Sequence, residues 1–223
     1  MGSRFVTIQM CDTQHTSLCI TMRVDLLAMF IAFEGPIAAG KTTLASLYGN
    51  HLGCPVLYES FAANSFLADY YIDRDRWALP MQLWFLMSRH DQLIGFRSEM
   101  ETHSVADYAF VKNRIFANLI LPEREKSLFA HISETLRTNA PKPDVIVHLD
   151  ANNDVLLQRI KLRGREFERS INGSYLNSLR AAYNEELSVD SSCVVVPYDT
   201  TNLNLDSRKE LEELFSLIDG HLR

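Results

Sequence analysis

The sequence predicts an α/β protein in which a five-stranded parallel sheet is covered by helices on both faces. Short β-rich runs alternate along the chain with longer segments whose apolar residues recur at helical spacing. The β-rich runs are nearly continuous in Val, Ile and Leu, as expected of parallel strands buried on both faces. With 223 residues, 47% of them hydrophobic, the chain can bury one substantial core, and residues 29–223 are predicted to form a single domain.

The predicted elements follow one another in a regular order. The strands are expected at 29–34, 55–59, 104–108, 144–150 and 193–199. The helices are expected at 41–52, 77–98, 110–137, 152–163, 174–187 and 206–218. Because ligands of such sheets bind at the carboxyl ends of the strands, the candidate site residues are sought there.

Residues 1–28 are predicted to be an extension that is disordered or lies outside the core, with the folded domain starting near Met29. This segment has no long apolar region, and its arginines are offset by aspartates, which is atypical of a targeting signal. The longest apolar stretch of the chain, residues 26–33, is too short to span a bilayer. We therefore expect no membrane partner.

Net charge and cysteine usage narrow the class of partner. The formal charge of −6 argues against a nucleic acid polymer, which needs a broad basic surface, but it leaves room for a small phosphorylated ligand. The four cysteines are scattered and form no paired short spacing. This usage predicts reduced thiols in a cytoplasmic protein, not a disulfide framework or a zinc site.

The stretch "FEGPIAAGKTT" (33–43) contains a phosphate-binding loop. Gly35, Gly40, Lys41 and Thr42 complete the pattern G-x-x-x-x-G-K-[ST] between a predicted strand and a predicted helix. The glycines let successive backbone N–H groups point at phosphate oxygens, and the helix adds its positive N-terminus. Lysine contacts the β- and γ-phosphates, and the threonine hydroxyl binds Mg²⁺. The loop predicts binding of a nucleoside triphosphate.

This loop alone does not separate a kinase from a GTPase or an ATPase. The chain has no N-K-x-D motif for reading guanine, which argues against a GTPase. The strand "VIVHLD" ends in Asp150, which could be the carboxylate that follows such a strand in ATPases. The alternative is that Asp150 starts the following helix, since Asp and Asn favour helix N-termini.

Glu59 ends the second predicted strand, on the side that faces the phosphate loop. A carboxylate there can orient an attacking hydroxyl and accept its proton late in phosphoryl transfer. The alternative is a surface glutamate at a strand end.

One face of the helix predicted at 77–98 carries Gln82, Phe85 and Arg89, at i, i+3 and i+7. An amide, a ring and a guanidinium together suit the recognition of a nucleobase by hydrogen bonds and stacking. The alternative is a helix whose polar side chains reach solvent.

The stretch "QRIKLRGREFERS" (158–170) concentrates five basic residues in an acidic chain: Arg159, Lys161, Arg163, Arg165 and Arg169. Gly164 is placed as the end of a helix. An arginine-rich turn after a helix suits a lid that clamps phosphates during transfer. The alternative is a solvated, charged helix end.

Taken in order along the chain, these motifs resemble the deoxynucleoside kinase family, most closely its bacterial purine members. The resemblance covers about residues 29–200 and includes "LYESFAANSFLADYY", "RWALPMQLWFLMSRHDQ", "ADYAFVKNRIFANL" and "RIKLRGREFERSINGSYL". It implies a P-loop kinase fold with an arginine-rich lid at about 163–172, and a homodimer packed through helices with feedback inhibition by the triphosphate of the product. The implied reaction transfers phosphate from ATP·Mg²⁺ to the 5′-hydroxyl of a purine deoxynucleoside for nucleotide salvage.

The resemblance also implies a role for each matching residue. Catalysis is assigned to Glu59 as the base, with Lys41, Arg163 and Arg165. The implied ATP-binding residues are Gly35, Ala38, Ala39, Gly40, Lys41, Thr42, Thr43, Arg159, Arg163 and Arg165. The implied nucleoside-binding residues are Glu59, Tyr71, Gln82, Phe85, Arg89, Asp107, Asn113 and Glu168, of which Tyr71 and Glu168 hold the sugar 3′-hydroxyl. Thr42 and Asp107 are implied to bind Mg²⁺, Asp107 directly or through water.

The chain departs from the family pattern at Tyr108, where many members carry an arginine that contacts the base. Lys112 or Arg114 could replace that arginine, or the chain could manage without it. Arg89 with Asn113 favours purines over thymidine, while the choice between adenine and guanine stays open.

Two other functions compete with this interpretation. A thymidylate-type nucleoside monophosphate kinase shares the loop and the lid, and Arg74, Arg76 and Arg89 could hold its acceptor phosphate. A non-catalytic kinase-like subunit is the second alternative, although the loop lysine, the base and the lid arginines are all present.

Overall fold

The computed structural model describes residues 4–11, 17–24, 28–100, 103–189 and 192–222, the first two ranges by their backbone alone. In those two ranges β1 (Arg4–Cys11) and β2 (Ser17–Val24) pair antiparallel in a sheet of their own. Residues 1–3, 12–16 and 25–27 lie outside the described residues. The prediction that residues 1–28 are an extension outside the core therefore stays a prediction.

A five-stranded, all-parallel sheet forms the centre of the fold, as predicted. Its strands are β3 (Phe30–Glu34), β4 (Val56–Leu57), β5 (Ser104–Ala106), β6 (Val145–Asp150) and β7 (Val194–Asp199), in the order β4-β5-β3-β6-β7. The middle strand β3 is buried along its whole length. Since β3 ends immediately before the glycine loop, that loop lies in the middle of the carboxyl edge of the sheet.

Helices cover both faces of this sheet, in agreement with the predicted fold class. They are α1 (Lys41–Leu52), α2 (Leu67–Ile72), α3 (Arg74–Phe96), α4 (Lys112–Ile120), α5 (Glu123–Arg137), α6 (Asn153–Arg163), α7 (Gly173–Val189) and α8 (Arg208–Asp219). In β3, Ile31 and Phe33 pack with α1, α6 and α8, whereas Ala32 packs with α4 and α7. This alternation follows from the period of two in a strand.

Helix boundaries differ from the predictions at three places. The helix predicted at 110–137 is two helices, because Leu121 is extended before Pro122, and a residue before proline disfavours helical backbone. Helix α3 begins at Arg74, after the N-cap Asp73, three residues before its predicted start, and Pro80 lies inside it. Helix α2 was not predicted.

The end of α6 confirms a predicted stop. Gly164 is the C-cap, with a φ of 67° in the left-handed region, and its N–H donates to the carbonyl of Ile160. At the other end, the Asn152 side chain caps α6 by accepting from the N–H of Val155. Among the described residues, no helix is both long and apolar enough to cross a membrane.

Candidate active site

A cavity of about 680 Å³ opens at the carboxyl edge of the sheet. It is lined by the glycine loop, by α2 and α3, by the segment after β5, by the end of α6, and by the segment after β7. Nearly all predicted site residues line it: Ala38, Ala39, Gly40, Lys41, Thr42, Thr43, Glu59, Tyr71, Gln82, Phe85, Arg89, Asp107, Arg159, Arg163, Arg165 and Glu168. Gly35 and Asn113 are not lining residues, but they contact the lining residues Lys41 and Arg89.

The glycine loop has the curled backbone that its sequence predicts. Gly35 and Gly40 have φ values of 144° and 101°, and Ala38 is also left-handed, at 67°. A Cβ on Gly35 would lie 2.0 Å from the carbonyl oxygen of Leu149, so this position requires glycine for space as well as for φ. At Gly35 the loop therefore packs directly against the backbone of β6.

The Lys41 side chain lies under the loop. Its amine donates to the carbonyl oxygens of Gly35, at 2.7 Å, and Pro36, at 2.8 Å. Burial and the neighbouring positive charge of Lys112, partly offset by nearby carboxylates, together lower the pKa of Lys41 to about 7. An added anion at this amine would favour its charged form.

Thr42 and Asp107 place two hard oxygen ligands side by side. The hydroxyl of Thr42 donates to Asp107 Oδ2 at 2.6 Å, and Asp107 Oδ1 accepts from the backbone N–H of Glu59 at 2.8 Å. In the part of the chain that the structure describes, no group of three or more His, Cys, Asp or Glu side chains could hold a metal. A hydroxyl and a carboxylate fit Mg²⁺, which takes few protein ligands and completes its shell with phosphates and water.

Both carboxylate oxygens of Glu59 are paired with cations. Arg89 contacts Oε1 through Nε at 2.7 Å and Nη2 at 2.6 Å, and Lys112 Nζ lies 2.6 Å from Oε2. Burial alone would raise the pKa of Glu59, but the charges and hydrogen bonds of Lys112 and Arg89 outweigh it and hold this pKa well below its ordinary value. Glu59 is therefore ionised.

Of the two basic residues considered in place of an arginine at position 108, Lys112 contacts Glu59 and Arg114 does not. Arg114 pairs with Glu186 of α7. The Tyr108 ring is buried, and its hydroxyl donates to Gln92 Oε1 at 3.3 Å. Since α4 begins at Lys112, this side chain projects from the first turn toward the cavity.

The predicted face of α3 is buried at the cavity and does not reach solvent. Gln82 is 2% exposed, and among the described residues its Oε1 has no hydrogen-bond partner. Arg89 lies over the ring of Phe85, 4.6 Å from its centroid, and donates to Asn113 Oδ1 at 2.6 Å. A buried, unsatisfied amide oxygen in a cavity wall is unfavourable unless a ligand pairs with it.

The predicted arginines separate into two groups. Arg163 forms a two-pronged contact with the buried carboxylate of Glu168, and Arg165 lies 3.4 Å from the same carboxylate and 3.9 Å from the centroid of the Phe61 ring. Arg159 instead donates to Thr200, at Oγ1 and at the carbonyl. Thus Arg163 and Arg165 border the Glu168 side of the cavity, while Arg159 ties α6 to the segment after β7.

Asp150 does not line the cavity. Arg180 of α7 forms two hydrogen bonds of 2.7 Å with the Asp150 carboxylate, and Asn152, not Asp150, caps α6. Neither alternative for Asp150 therefore describes its observed role, which is to join β6 to α7.

Several cavity residues were missed by sequence reasoning. These are mostly aromatic or apolar side chains: Phe61, Leu67, Tyr70, Met81, Phe116, Ile120, Phe167, Tyr175, Thr200, Leu203 and Leu205. Next to the predicted Tyr71, the rings of Tyr70 and Phe167 lie 5.2 and 5.6 Å away. Burial, with Tyr70 and Glu168 nearby, raises the pKa of Tyr71 to about 12, so its hydroxyl stays a donor. The aromatic residues around "ESFAANSF" were the available signal.

Comparison with known proteins shows the family of this chain. The family model described as deoxynucleoside kinase matches residues 31–222. Deoxyguanosine kinase of Bacillus subtilis (strain 168) is 36% identical over 159 residues, which cover 70% of this chain and 77% of the relative. Deoxyadenosine kinase of Dictyostelium discoideum is 33% identical over 162 residues, which cover 70% of this chain and 66% of the relative.

A solved structure shows the same fold. Deoxyadenosine kinase from M. mycoides, with the products dCMP and a flexible dCDP bound, superposes with a TM-score of 0.75. The match covers 86% of this chain and all of the other, at 21% sequence identity. The same enzyme with bound dATP matches with a TM-score of 0.74.

Proposed function

The chain belongs to the deoxynucleoside kinase family, and from this premise we propose that it transfers phosphate from ATP to the 5′-hydroxyl of a purine deoxynucleoside. The product is the 5′-monophosphate, made for nucleotide salvage. The observation that carries the proposal is the ionised, doubly paired Glu59 next to the phosphate loop. Its backbone N–H is bonded to Asp107, which in turn accepts from Thr42 of the loop.

The loop and its lysine supply the donor side of the proposal. The curled backbone from Gly35 to Thr43 directs N–H groups and the N-terminus of α1 at the phosphates. Lys41 lies below, where a triphosphate would keep it charged. Mg²⁺, held by Thr42 and Asp107, would neutralise charge on the β- and γ-phosphates when bound.

The walls around Glu59 supply the acceptor side. The unpaired amide oxygen of Gln82 lies where a purine edge would donate to it, with Phe85 beside it. Tyr71 and Glu168 line the same cavity, and the family resemblance assigns them to the sugar 3′-hydroxyl. The acceptor would thus be fixed at both ends, with its 5′-hydroxyl at Glu59.

The transfer itself then needs little covalent help from the protein. Glu59 orients the 5′-hydroxyl and accepts its proton late, as phosphorus–oxygen bond formation proceeds. Lys41, Arg163 and Arg165 stabilise the negative charge on the moving phosphoryl group and on the departing ADP. For this step, Arg163 would exchange part of its contact with Glu168 for phosphate oxygens.

Purine preference is supported by the named activities of the relatives. Those with the highest identities given above act on deoxyguanosine and deoxyadenosine. Within the site, Arg89 is held by Asn113 and Glu59, and presents its face to Phe85. A pyrimidine would leave part of this cavity unfilled, at a loss of apolar contact.

The direct test is a transfer assay with γ-labelled ATP across deoxynucleosides and nucleoside monophosphates. We expect label in the monophosphates of deoxyadenosine or deoxyguanosine, with thymidine much slower. Turnover of the monophosphates alone would support the thymidylate-type alternative and overturn the proposal. Of the three arginines in that alternative, Arg89 is already paired with Glu59 and Arg76 lies over the Trp77 ring, whereas Arg74 lines the cavity and donates to Ser170.

A homodimer and a cytoplasmic location are further parts of this proposal, supported by the family resemblance. Sedimentation of the purified chain measures the first. A dimer would be twice the 25.5 kDa of one chain.

A further inference from the structure

We propose that Lys112 is a positioning residue for the reaction, which holds the carboxylate of Glu59 in the orientation that accepts the 5′-hydroxyl proton. This inference rests on the proposed function, because it assigns a role within the same site. It goes beyond that function in naming a residue on α4 that fixes the base.

The first argument is geometric. Glu59 follows the short strand β4, and its carboxylate is held from two different helices: Arg89 of α3 contacts Oε1, and Lys112 of α4 contacts Oε2 at 2.6 Å. The backbone N–H of Glu59 is fixed by Asp107. With one oxygen paired, a carboxylate can still turn about its terminal torsion, whereas two cations on separate helices define its plane.

The second argument concerns how each cation is supported. Arg89 is fixed by Asn113 and by packing over Phe85, so it forms a rigid side of the site. Lys112 has a compact ammonium with three N–H donors, of which Glu59 takes one. Lys112 and Glu59 both line the cavity, so the paired carboxylate still borders the space for the acceptor.

The third argument is burial. The side chains of Lys112 and Glu59 are 8% and 14% exposed. A charge pair withdrawn from water to this extent gains little net stability, since desolvation offsets its attraction. The Arg114–Glu186 pair, whose arginine lies two residues farther along α4, differs in its cation: the Arg114 side chain is 54% exposed and the Glu186 side chain 13%. A buried pair that stabilises little is readily explained by the orientation that it imposes on the base.

The test compares Lys112→Met, which keeps the apolar stem, with Lys112→Arg, which keeps the charge. We expect Lys112→Met to lower kcat by roughly 10- to 100-fold, the scale of a small misplacement of a catalytic group. The KM for ATP should change by less than about threefold, because the phosphate loop is unchanged. Lys112→Arg should recover most of the lost kcat.

Arg114→Met is the matched control, since it removes a cation from the same helix without touching Glu59. Its kcat should equal that of the unaltered protein. Thermal unfolding and ATP binding of every variant establish that the fold is retained. If Lys112→Met does not fold, Lys112→Gln takes its place in the same comparison.

The outcomes separate this inference from the proposed function. If the unaltered protein phosphorylates no deoxynucleoside, the proposed function fails. If it does, but the uncharged variant keeps full kcat, or loses only affinity for ATP, the role of Lys112 is overturned. An arginine variant that folds and is as slow as the methionine variant overturns it as well.

Discussion

The donor and acceptor sides of the cavity are built in different ways. The proposed donor side is the continuous stretch from Gly35 to Thr43, which would bind phosphates mainly through backbone N–H groups of its curled loop. The proposed acceptor side comes from separate elements, and it lines the cavity with side chains: Glu59, Tyr71, Gln82, Arg89, Asp107, Lys112 and Glu168. The two sides meet where Asp107 accepts from both Thr42 and the backbone of Glu59.

This difference implies that the two sides can be damaged separately. A site made of backbone groups depends on the backbone conformation, so it is damaged by substitutions at the few positions where only glycine fits. A side-chain site depends on packing between helices and on hydrogen-bond partners, so a single replaced functional group can remove turnover and leave the fold and ATP binding intact.

The largest effect is expected from Glu59→Gln on the acceptor side. The amide keeps the shape but cannot take the proton, so kcat should fall by about 10²- to 10⁴-fold. ATP binding, measured by calorimetry, should stay within about threefold because the donor side is unchanged. Glu186→Gln is the control, because it removes a similarly buried carboxylate that is paired with Arg114 and does not line the cavity. Full turnover by the Glu59 variant would remove this residue from the role of base.

On the donor side, Gly35→Ala should destabilise the protein. Alanine would adopt a φ of 144° and place its Cβ 2.0 Å from the carbonyl oxygen of Leu149. We expect a loss of more than about 2 kcal/mol in the free energy of unfolding, with weaker ATP binding. Gly53→Ala is the matched control, because Gly53 is also left-handed but a Cβ there meets nothing within 4 Å. Equal losses in the two variants would contradict the close approach.

A smaller and selective effect is expected from Gln82→Leu. Leucine fills a similar volume but offers no amide to a base edge, so the KM for the purine deoxynucleoside should rise by about 10- to 100-fold. The KM for ATP should not change, as steady-state kinetics with each substrate varied would show. If the KM for ATP rose as much as the KM for the deoxynucleoside, Gln82 would affect both sides of the cavity, and the separation would be wrong.

The smallest effect is expected for Glu34, the buried last residue of β3, next to the glycine loop. It accepts from the N–H of Ala109 and from the hydroxyl of Tyr183, and burial raises its pKa above the ordinary 4.5, against the lowering effect of Lys112 and Lys41. The unfolded chain therefore ionises first, so the contribution of Glu34 to stability is fully present below about pH 4.5 and falls as pH rises toward the folded pKa.

Unfolding of the unaltered protein and of Glu34→Gln over a pH series measures this contribution. The stability of the unaltered protein relative to the variant should decrease with rising pH across that window and then level off. If the relative stability instead increased with pH, the pKa of Glu34 in the folded protein would be lowered. That result would contradict the claim that burial raises this pKa.

The same comparison explains how much could be predicted from the sequence. The donor side was predictable because its residues are contiguous and their spacing is set by the backbone. The five strands and the stop at Gly164 were predictable for the same reason, since each depends on a local pattern. On the acceptor side, the family resemblance supplied residues that the structure now brings to one cavity.

Other features depended on contacts distant in sequence. Asp150 ends a strand as an ATPase carboxylate would, but its direction is set by Arg180, thirty residues later. From the sequence, Lys112 and Arg114 were equally good candidates to replace an arginine at position 108. Only the structure shows that Lys112, in the first turn of α4, faces Glu59. Helix α2 has only six residues, Leu67–Ile72, too few for a periodic pattern, and it is stabilised by packing on α3.

The central claim is that ATP and the 5′-hydroxyl of a purine deoxynucleoside meet at Glu59, and the position of the transferred phosphate tests it most directly. Phosphorus NMR of the products formed from deoxyadenosine and deoxyguanosine should show the 5′-monophosphate and ADP in equal amounts. The matched 5′-deoxy analogues, which lack the acceptor hydroxyl, should give no product. Phosphate on the 3′-hydroxyl, or turnover of the 5′-deoxy analogues, would contradict the claim.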